Sequence, residues 1–179
     1  MDVTALIDAV IDREGDYSNH PDDRGGATRF GITEAVARQQ GYAGPMRDLP
    51  RSEAIAIYRR LYWLRPGLDK LAARAPDIAA ELFDIAVNMG PATGIALLQR
   101  ALNVLNRGAR DYGDVTVDGG LGPQTLAAID GFRGRRGAEG LAVLLKAVRA
   151  LRGARYIEIA EARPANEAFV YGWLANRIG

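Results

Sequence analysis

Apolar residues in this chain recur at the three- and four-residue spacing of helices almost from end to end, and that pattern leaves room for little else. Near the N-terminus Val3, Leu6, Ile7, Val10 and Ile11 share one face while Asp8 and Asp12 fall on another, which predicts an amphipathic helix. The spacing returns at Ile55, Ile57, Tyr58, Leu61 and Tyr62 within residues 52–64. It returns again at Ile78, Leu82, Phe83, Ile85 and Ala86 after Pro76, and at Leu97, Leu98, Leu102 and Leu105 within residues 93–106. Thr33 suits the N-cap of a short helix reaching Gln40, which Gly41 stops. Later, Leu141, Leu144, Leu145, Val148, Leu151, Tyr156 and Ile159 predict a long helix up to Pro164 with Gly153 as its weak point, and residues 166–178 a last one. Against all this, Thr28, Phe30 and Ile32 alternate with Arg29 and Gly31 as a short strand would. The expected class is mainly α, with one small extended segment.

Composition narrows the function classes. The chain has 179 residues, enough for one well-buried domain or a main lobe with a smaller appendage. A net charge of +1 does not announce nucleic acid as a partner. There is no cysteine, which excludes disulfides and thiolate metal sites, and the lone His20 cannot build a zinc site or a serine-type triad. No basic segment followed by an apolar run marks a signal peptide, and no stretch approaches the roughly 20 apolar residues that cross a bilayer. Arg133, Arg135, Arg136, Lys146, Arg149, Arg152 and Arg155 cluster late in the chain. They read either as a solvated helix face or as a patch for an anionic polymer.

Polar chemistry concentrates in residues 11–33, I-D-R-E-G-D-Y-S-N-H-P-D-D-R-G-G-A-T-R-F-G-I-T. Glu14 continues the stripe of Ile7, Val10 and Ile11, and Gly15 after it is a natural helix terminator. An anion there points toward apolar surroundings and sits at the negative end of the helix dipole, so the protonated form is favoured. That makes Glu14 a candidate proton donor. The turn-forming run from Asn19 to Gly26 supplies Asp22 and Asp23, either of which can fold back toward Glu14. Two carboxyl groups facing across a sugar-sized gap are the machinery of glycoside hydrolysis.

The string E-G-D-Y-x-N-x-P-D-D-x-G-G-A-T-x-F-G-I-T resembles the signature of glycoside hydrolase family 108, bacterial and phage N-acetylmuramidases. That motif begins E-G-G-Y and ends G-G-x-T-x-x-G-I-T, so Asp16 stands where the family has glycine. The resemblance implies that Glu14 is the catalytic acid. It extends to the Glu, Asp, Thr pattern of phage-type lysozymes, with Asp23 nine positions after Glu14 and Thr28 one residue earlier than that pattern places it. It also covers Tyr62-Trp63, F-D-I-A-V-N-M-G-P at residues 83–91 and F-V-Y-G-W-L at residues 169–174. In the glycine-rich segment, V-D-G-G-L-G-P-Q-T resembles the D-G-x-x-G-P-x-T turn of peptidoglycan-binding helical modules. Physically that turn is a joint into a helix opened by Pro123.

The resemblance therefore implies a lysozyme-like helical catalytic domain over residues 1–107 and a helical, peptidoglycan-binding-like region over residues 108–179 packed on it. The expected reaction is hydrolysis of the β-1,4 bond between N-acetylmuramic acid and N-acetylglucosamine, with Glu14, Asp23 and Thr28 catalytic. Asp22, Tyr17, Trp63 and Asn88 are the candidate substrate-binding residues. Trp63 is taken as a subsite wall and Tyr58 as core; Asn88 caps its helix or bonds an N-acetyl group. No metal or cofactor is called for, and the expected partner is a peptidoglycan glycan strand met by a monomer in the periplasm or on the wall, through phage lysis or secretion. Asp22 stands in reserve for Asp23. A wall-binding or secretion-assisting protein without activity, and a chitinase-like enzyme, are the rival readings.

Overall fold

The computed structural model describes residues 1–18 and 26–178, which fall into two compact units, Met1–Arg65 and Pro66–Gly179. The class is mainly helical with one small three-stranded sheet, as the periodicity requires.

In the first unit, helix α1 (Val3–Glu14) starts on Asp2, whose carboxylate accepts from the backbone N–H of Thr4 at 2.8 Å and of Ala5 at 3.2 Å. Those are first-turn donors that the helix itself leaves without partners. Ile7, Val10 and Ile11 are buried on the expected face. On the polar side, Arg51 donates to Asp8 at 2.9 Å and to Asp12 at 2.7 Å, tying α1 to helix α3 (Arg51–Tyr58). Strands β1 (Tyr17–Ser18), β2 (Thr28–Arg29) and β3 (Ile32–Thr33) form an antiparallel sheet in that order.

The single strand expected over Thr28 to Ile32 is in fact a hairpin. Arg29 pairs with Ile32, which makes Phe30-Gly31 a two-residue loop, and both loop residues have positive φ, 53° and 74°. This is the type I′ arrangement, whose twist matches that of the flanking strands. Glycine takes that conformation freely, whereas at Phe30 it costs on the order of 1 kcal/mol, so other contacts must hold it. Thr33 then caps α2 (Glu34–Gln39) as expected, its hydroxyl accepting from the Val36 N–H at 3.4 Å.

The helix expected over residues 52–64 changes type halfway. After α3 the chain runs on as a π-helical turn, Arg59–Leu64, and the Arg65 N–H donates to the Arg60 carbonyl five residues back at 3.0 Å. Such turns are rare and frequent at functional sites. Here the turn decides which aromatic ring faces inward.

The second unit comprises α4 (Leu68–Ala72), α5 (Pro76–Met89), α6 (Pro91–Leu105), α7 (Pro123–Ala162) and α8 (Glu167–Arg177). Ile78, Leu82, Phe83, Leu98, Leu102, Ile129, Phe132, Leu144 and Val148 are buried. Helix α8 meets α7 through rings, with Trp173 5.3 Å from Tyr156 and 6.2 Å from Phe169 between centroids. Helix α7 breaks at Gly137 (φ 63°, ψ −158°) and passes uninterrupted through Gly153, where the weak point was expected.

Between α6 and α7 the glycine-rich segment is held by two amide side chains of α6. Gln99 donates to the Asp118 carboxylate at 2.8 Å and to the Gly120 carbonyl at 3.0 Å, and accepts from the Gly119 N–H at 2.9 Å. Asn103 exchanges two bonds of 2.8 Å with the backbone of Val115. The Gln99 amide, followed by the Gly120 N–H, holds the Asp118 carboxyl below the usual carboxylate range. Gly119 has φ 72°, and a Cβ there would stand 2.8 Å from the Ala92 carbonyl oxygen. Asp118 and Gly119 of the D-G-G sequence are thus set by the turn's geometry.

The late basic cluster, read as a solvated face or as a patch for an anionic polymer, is in part taken up by ion pairs. Arg152 is 2% exposed and donates to Glu81 at 2.7 Å, to Asp84, and to the Tyr156 hydroxyl at 3.1 Å. Arg149 donates to Glu81 at 2.8 Å, Arg155 to Glu158 at 2.9 Å, and Arg135 lies 3.4 Å from Asp111. Helical spacing turns Arg149 and Arg152 toward carboxylates of α5, nearly seventy residues earlier in the chain.

Candidate active site

Glu14 is the last residue of α1 and is exposed, unlike Ile7, Val10 and Ile11 one to two turns earlier. The apolar stripe leads up to it without enclosing it, because the chain leaves the helix at Gly15. The β2–β3 turn lies against its stem. A Cβ built on Gly31 would stand 3.0 Å from Glu14 Cβ, 3.1 Å from Glu14 Cγ and 2.6 Å from the Tyr58 hydroxyl oxygen. The approach to the tyrosine oxygen is shorter than packed atoms adopt, and the two to the Glu14 stem would require that side chain to shift. The bare backbone at Gly31 is therefore what lets the acid, the turn and the tyrosine meet.

The strained turn is held from several directions. The Tyr58 hydroxyl donates to the Phe30 carbonyl at 3.0 Å, and the Phe30 N–H donates to the Asp16 carbonyl at 2.9 Å. Arg29 donates to the Asp16 carboxylate at 3.1 Å and lays its guanidinium 4.9 Å from the centre of the Phe30 ring. Asp16, the departure from the family motif, is thus the ionic partner of Arg29. Burial first, and then the charge of Glu14, push the Tyr58 phenol well above its ordinary range. The same two causes raise Tyr62. Both phenols therefore stay neutral near neutral pH, and both feel the charge of Glu14.

Of the other residues singled out by sequence, Thr28 lies in β2 with its hydroxyl 3.5 Å from the Gly26 carbonyl. Tyr17 lies in β1 opposite Arg29, half-buried, with the Arg47 guanidinium 5.4 Å from its ring centre. Glu14, Tyr17 and Thr28 thus belong to the end of α1 and the sheet of one unit. Asp22, Asp23 and His20 lie outside the described residues. Asn88 belongs to α5 of the second unit, where its amide donates to the Asp84 carbonyl at 2.8 Å, one turn back. That is a bond back onto its own helix.

Trp63 requires a correction. It is 3% exposed, so its indole offers no face to a pyranose. On an α-helix a side chain five residues after Tyr58 would point about 140° away from it. In a π-turn residues five apart share a face, and Trp63 joins the buried Tyr58, itself 2% exposed. Tyr62 is instead the half-buried ring of this turn, its centroid 5.5 Å from that of Tyr58. The sequence held only a weak sign of this, the four-residue spacing of the two tyrosines.

Among the described residues no three of His, Cys, Asp and Glu come together as a metal would require. In the second unit a cavity of about 590 Å³ is lined by Arg74, Ile78, Arg133, Gly137, Leu141 and Leu145 among others. Its walls combine aliphatic side chains with Arg74, Asp77 and Arg133 and carry no aromatic ring, and none of Glu14, Tyr17, Thr28, Trp63 and Asn88 lines it.

Comparison with known proteins finds two family models along the chain. Residues 7–90 match the family model of Glycosyl hydrolase 108 and residues 93–178 that of the Predicted Peptidoglycan domain. Among solved structures, that of Brucella abortus SagA is similar over 94% of this chain and 95% of that one, at 26% sequence identity and a TM-score of 0.58. No curated protein matches the chain.

Proposed function

We propose, for a chain that belongs over residues 7–90 to the glycosyl hydrolase 108 family and carries a predicted peptidoglycan domain over residues 93–178, that it is a lysozyme-type N-acetylmuramidase. Glycoside hydrolysis directed at peptidoglycan, outside the cytoplasm, is what the two matches support together. The bond we assign is the β-1,4 link between N-acetylmuramic acid and N-acetylglucosamine. The observation that carries the assignment is the exposed Glu14 at a helix end, flanked by the Gly31 backbone and two neutral phenols.

In this reading Glu14 protonates the leaving glycosidic oxygen. Asp23 positions water or stabilises the oxocarbenium-like transition state, and Thr28 orients the attacking water. Tyr17 and Tyr62 supply ring surface to the sugars, with Asp22 and Asn88 as further polar contacts. Catalysis is assigned to residues 1–107 and wall attachment to residues 108–179, in a monomer. Among the described residues no helix is long and apolar enough to cross a membrane, and phage lysis and secretion are the two export routes we consider.

The test is mass spectrometry of digested peptidoglycan. Fragments with reducing-end muramic acid support the assignment, and reducing-end glucosamine would overturn it. A wall-binding protein without activity is the second reading, favoured by the peptidoglycan-domain match alone. It sediments with purified walls but leaves their turbidity unchanged, and activity on chitin in place of walls would point to the chitinase-like alternative.

The two neighbouring aspartates are expected to behave differently. Successive residues in a turn point in different directions, so only one of them can face Glu14. Asp23 matches the phage-lysozyme spacing, whereas Asp22 follows Pro21 and is placed to bond its own backbone. Asp23→Asn should therefore lose far more turnover than Asp22→Asn, which mainly loses stability. A reversed kinetic ranking in two folded variants would pass the role to Asp22.

A further inference from the structure

Glu14 ends α1 and is followed at once by Gly15, so its own helix supports the side chain on one side only. The Gly31 backbone forms the other wall, close enough that a single added methyl would strike Glu14 Cβ and Cγ. That wall is part of a turn whose first residue, Phe30, sits at positive φ without being glycine. A turn under such strain relaxes unless its surroundings over-determine it. Tyr58 is placed to do this. Its ring is fixed in the core at 2% exposure, and its hydroxyl donates to the carbonyl of Phe30 itself, 28 residues away in the chain.

We propose that Tyr58 is the positioning residue of the acid. Its hydroxyl, by holding the Phe30 carbonyl, keeps the Phe30-Gly31 turn against the Glu14 stem and so sets the direction in which Glu14 delivers its proton. This rests on Glu14 being the acid of the reaction proposed above. A buried phenol needs some acceptor, and any free carbonyl would satisfy it. The acceptor here belongs to the strained residue of the turn that touches the acid, and that coincidence ties the bond to Glu14. The same oxygen lies 2.6 Å from where a Gly31 Cβ would be. Tyr58 and Gly31 are therefore coupled parts of one device.

The experiment compares Tyr58→Phe, Gly31→Ala, the double variant and Glu14→Gln on purified cell walls, per folded molecule as judged by circular dichroism. Tyr58→Phe keeps the ring and removes only the hydroxyl. It should lower kcat roughly ten- to a hundredfold, the effect of a small misplacement of a reacting group, with KM and wall co-sedimentation unchanged. Gly31→Ala should lose activity in the parent protein, but less when Tyr58 is already Phe, because the oxygen the new methyl would strike is gone. A folded Tyr58→Phe with parental kcat, or two lesions whose losses simply multiply, overturns the proposal. If Glu14→Gln keeps full activity, the acid assignment falls and the positioning role with it. An inactive Glu14→Gln beside a fully active Tyr58→Phe overturns the positioning role alone.

Discussion

Replacing Glu14 with glutamine is expected to lower the rate of wall hydrolysis by at least about a hundredfold, the low end of what general acid catalysis contributes. Glutamine has the same shape but no proton to give to a leaving glycosidic oxygen. The exposure of Glu14 makes the test clean: an exposed residue at a helix terminus carries little packing, so circular dichroism and the melting curve should match the parent. The contact of Glu14 Cβ and Cγ with the turn at Gly31 involves atoms that the substitution leaves in place. Co-sedimentation with walls should likewise persist, because removing an interaction made only in the transition state lowers kcat without weakening ground-state binding. Turbidity loss measured at equal protein concentration decides the matter. A variant that clears walls at near-parental rate would remove Glu14 from the mechanism and pass proton donation to another residue, whereas a parent protein that leaves turbidity unchanged would make the non-hydrolytic wall binder the better reading.

The largest expected loss of stability comes from Arg152→Ala. Arg152 and Glu81 are 2% and 8% exposed, and the guanidinium bridges Glu81, Asp84 and the Tyr156 hydroxyl at once. Burial, the largest single influence, pulls the guanidinium pKa down. The hydrogen bonds it donates to Asp84 and Glu81 outweigh burial and hold the group above its ordinary value. Removing the cation leaves two carboxylates largely out of water, with Arg149 at 2.8 Å from Glu81 and Arg177 at 3.6 Å from Asp84 as the cations beside them. Breaking a buried pair on one side in this way costs about 3–5 kcal/mol. In a chain of this size that is a fall of roughly 6–20 °C in melting temperature. Arg152→Lys keeps the charge but loses the planar fork that serves three acceptors, and should recover only part of the loss. Calorimetry showing less than about 1 kcal/mol for Arg152→Ala would class the network with ordinary surface pairs.

Both variants show where local pattern stops. Glu14 was legible because its signals are contiguous: a periodic stripe, a terminating glycine and a motif of about twenty residues in which it comes first. Arg152 was not. In sequence it is one of a run of arginines on a long helix, and a helix alone does not say which of its charges face water. That depends on Glu81 and Asp84, about seventy residues earlier.

By itself the sequence determined the mainly helical class, the Thr33 cap, the helix start after Pro76 and the turn that leads into the helix opened by Pro123. Each of these is set by neighbours within one or two turns, through backbone hydrogen bonds and allowed φ. Tertiary structure alone decided three things at the site. The alternation at Thr28 to Ile32 became a hairpin, because Phe30 can be held at positive φ once Tyr58 and Asp16 bond both its backbone groups. Along the π-turn Trp63 lies in the core, where a subsite wall was expected, and Tyr62 is half-buried. Glu14 acquired its second wall from Gly31, seventeen residues on. All three depend on contacts between segments distant in the chain, for which residue spacing carries no signal.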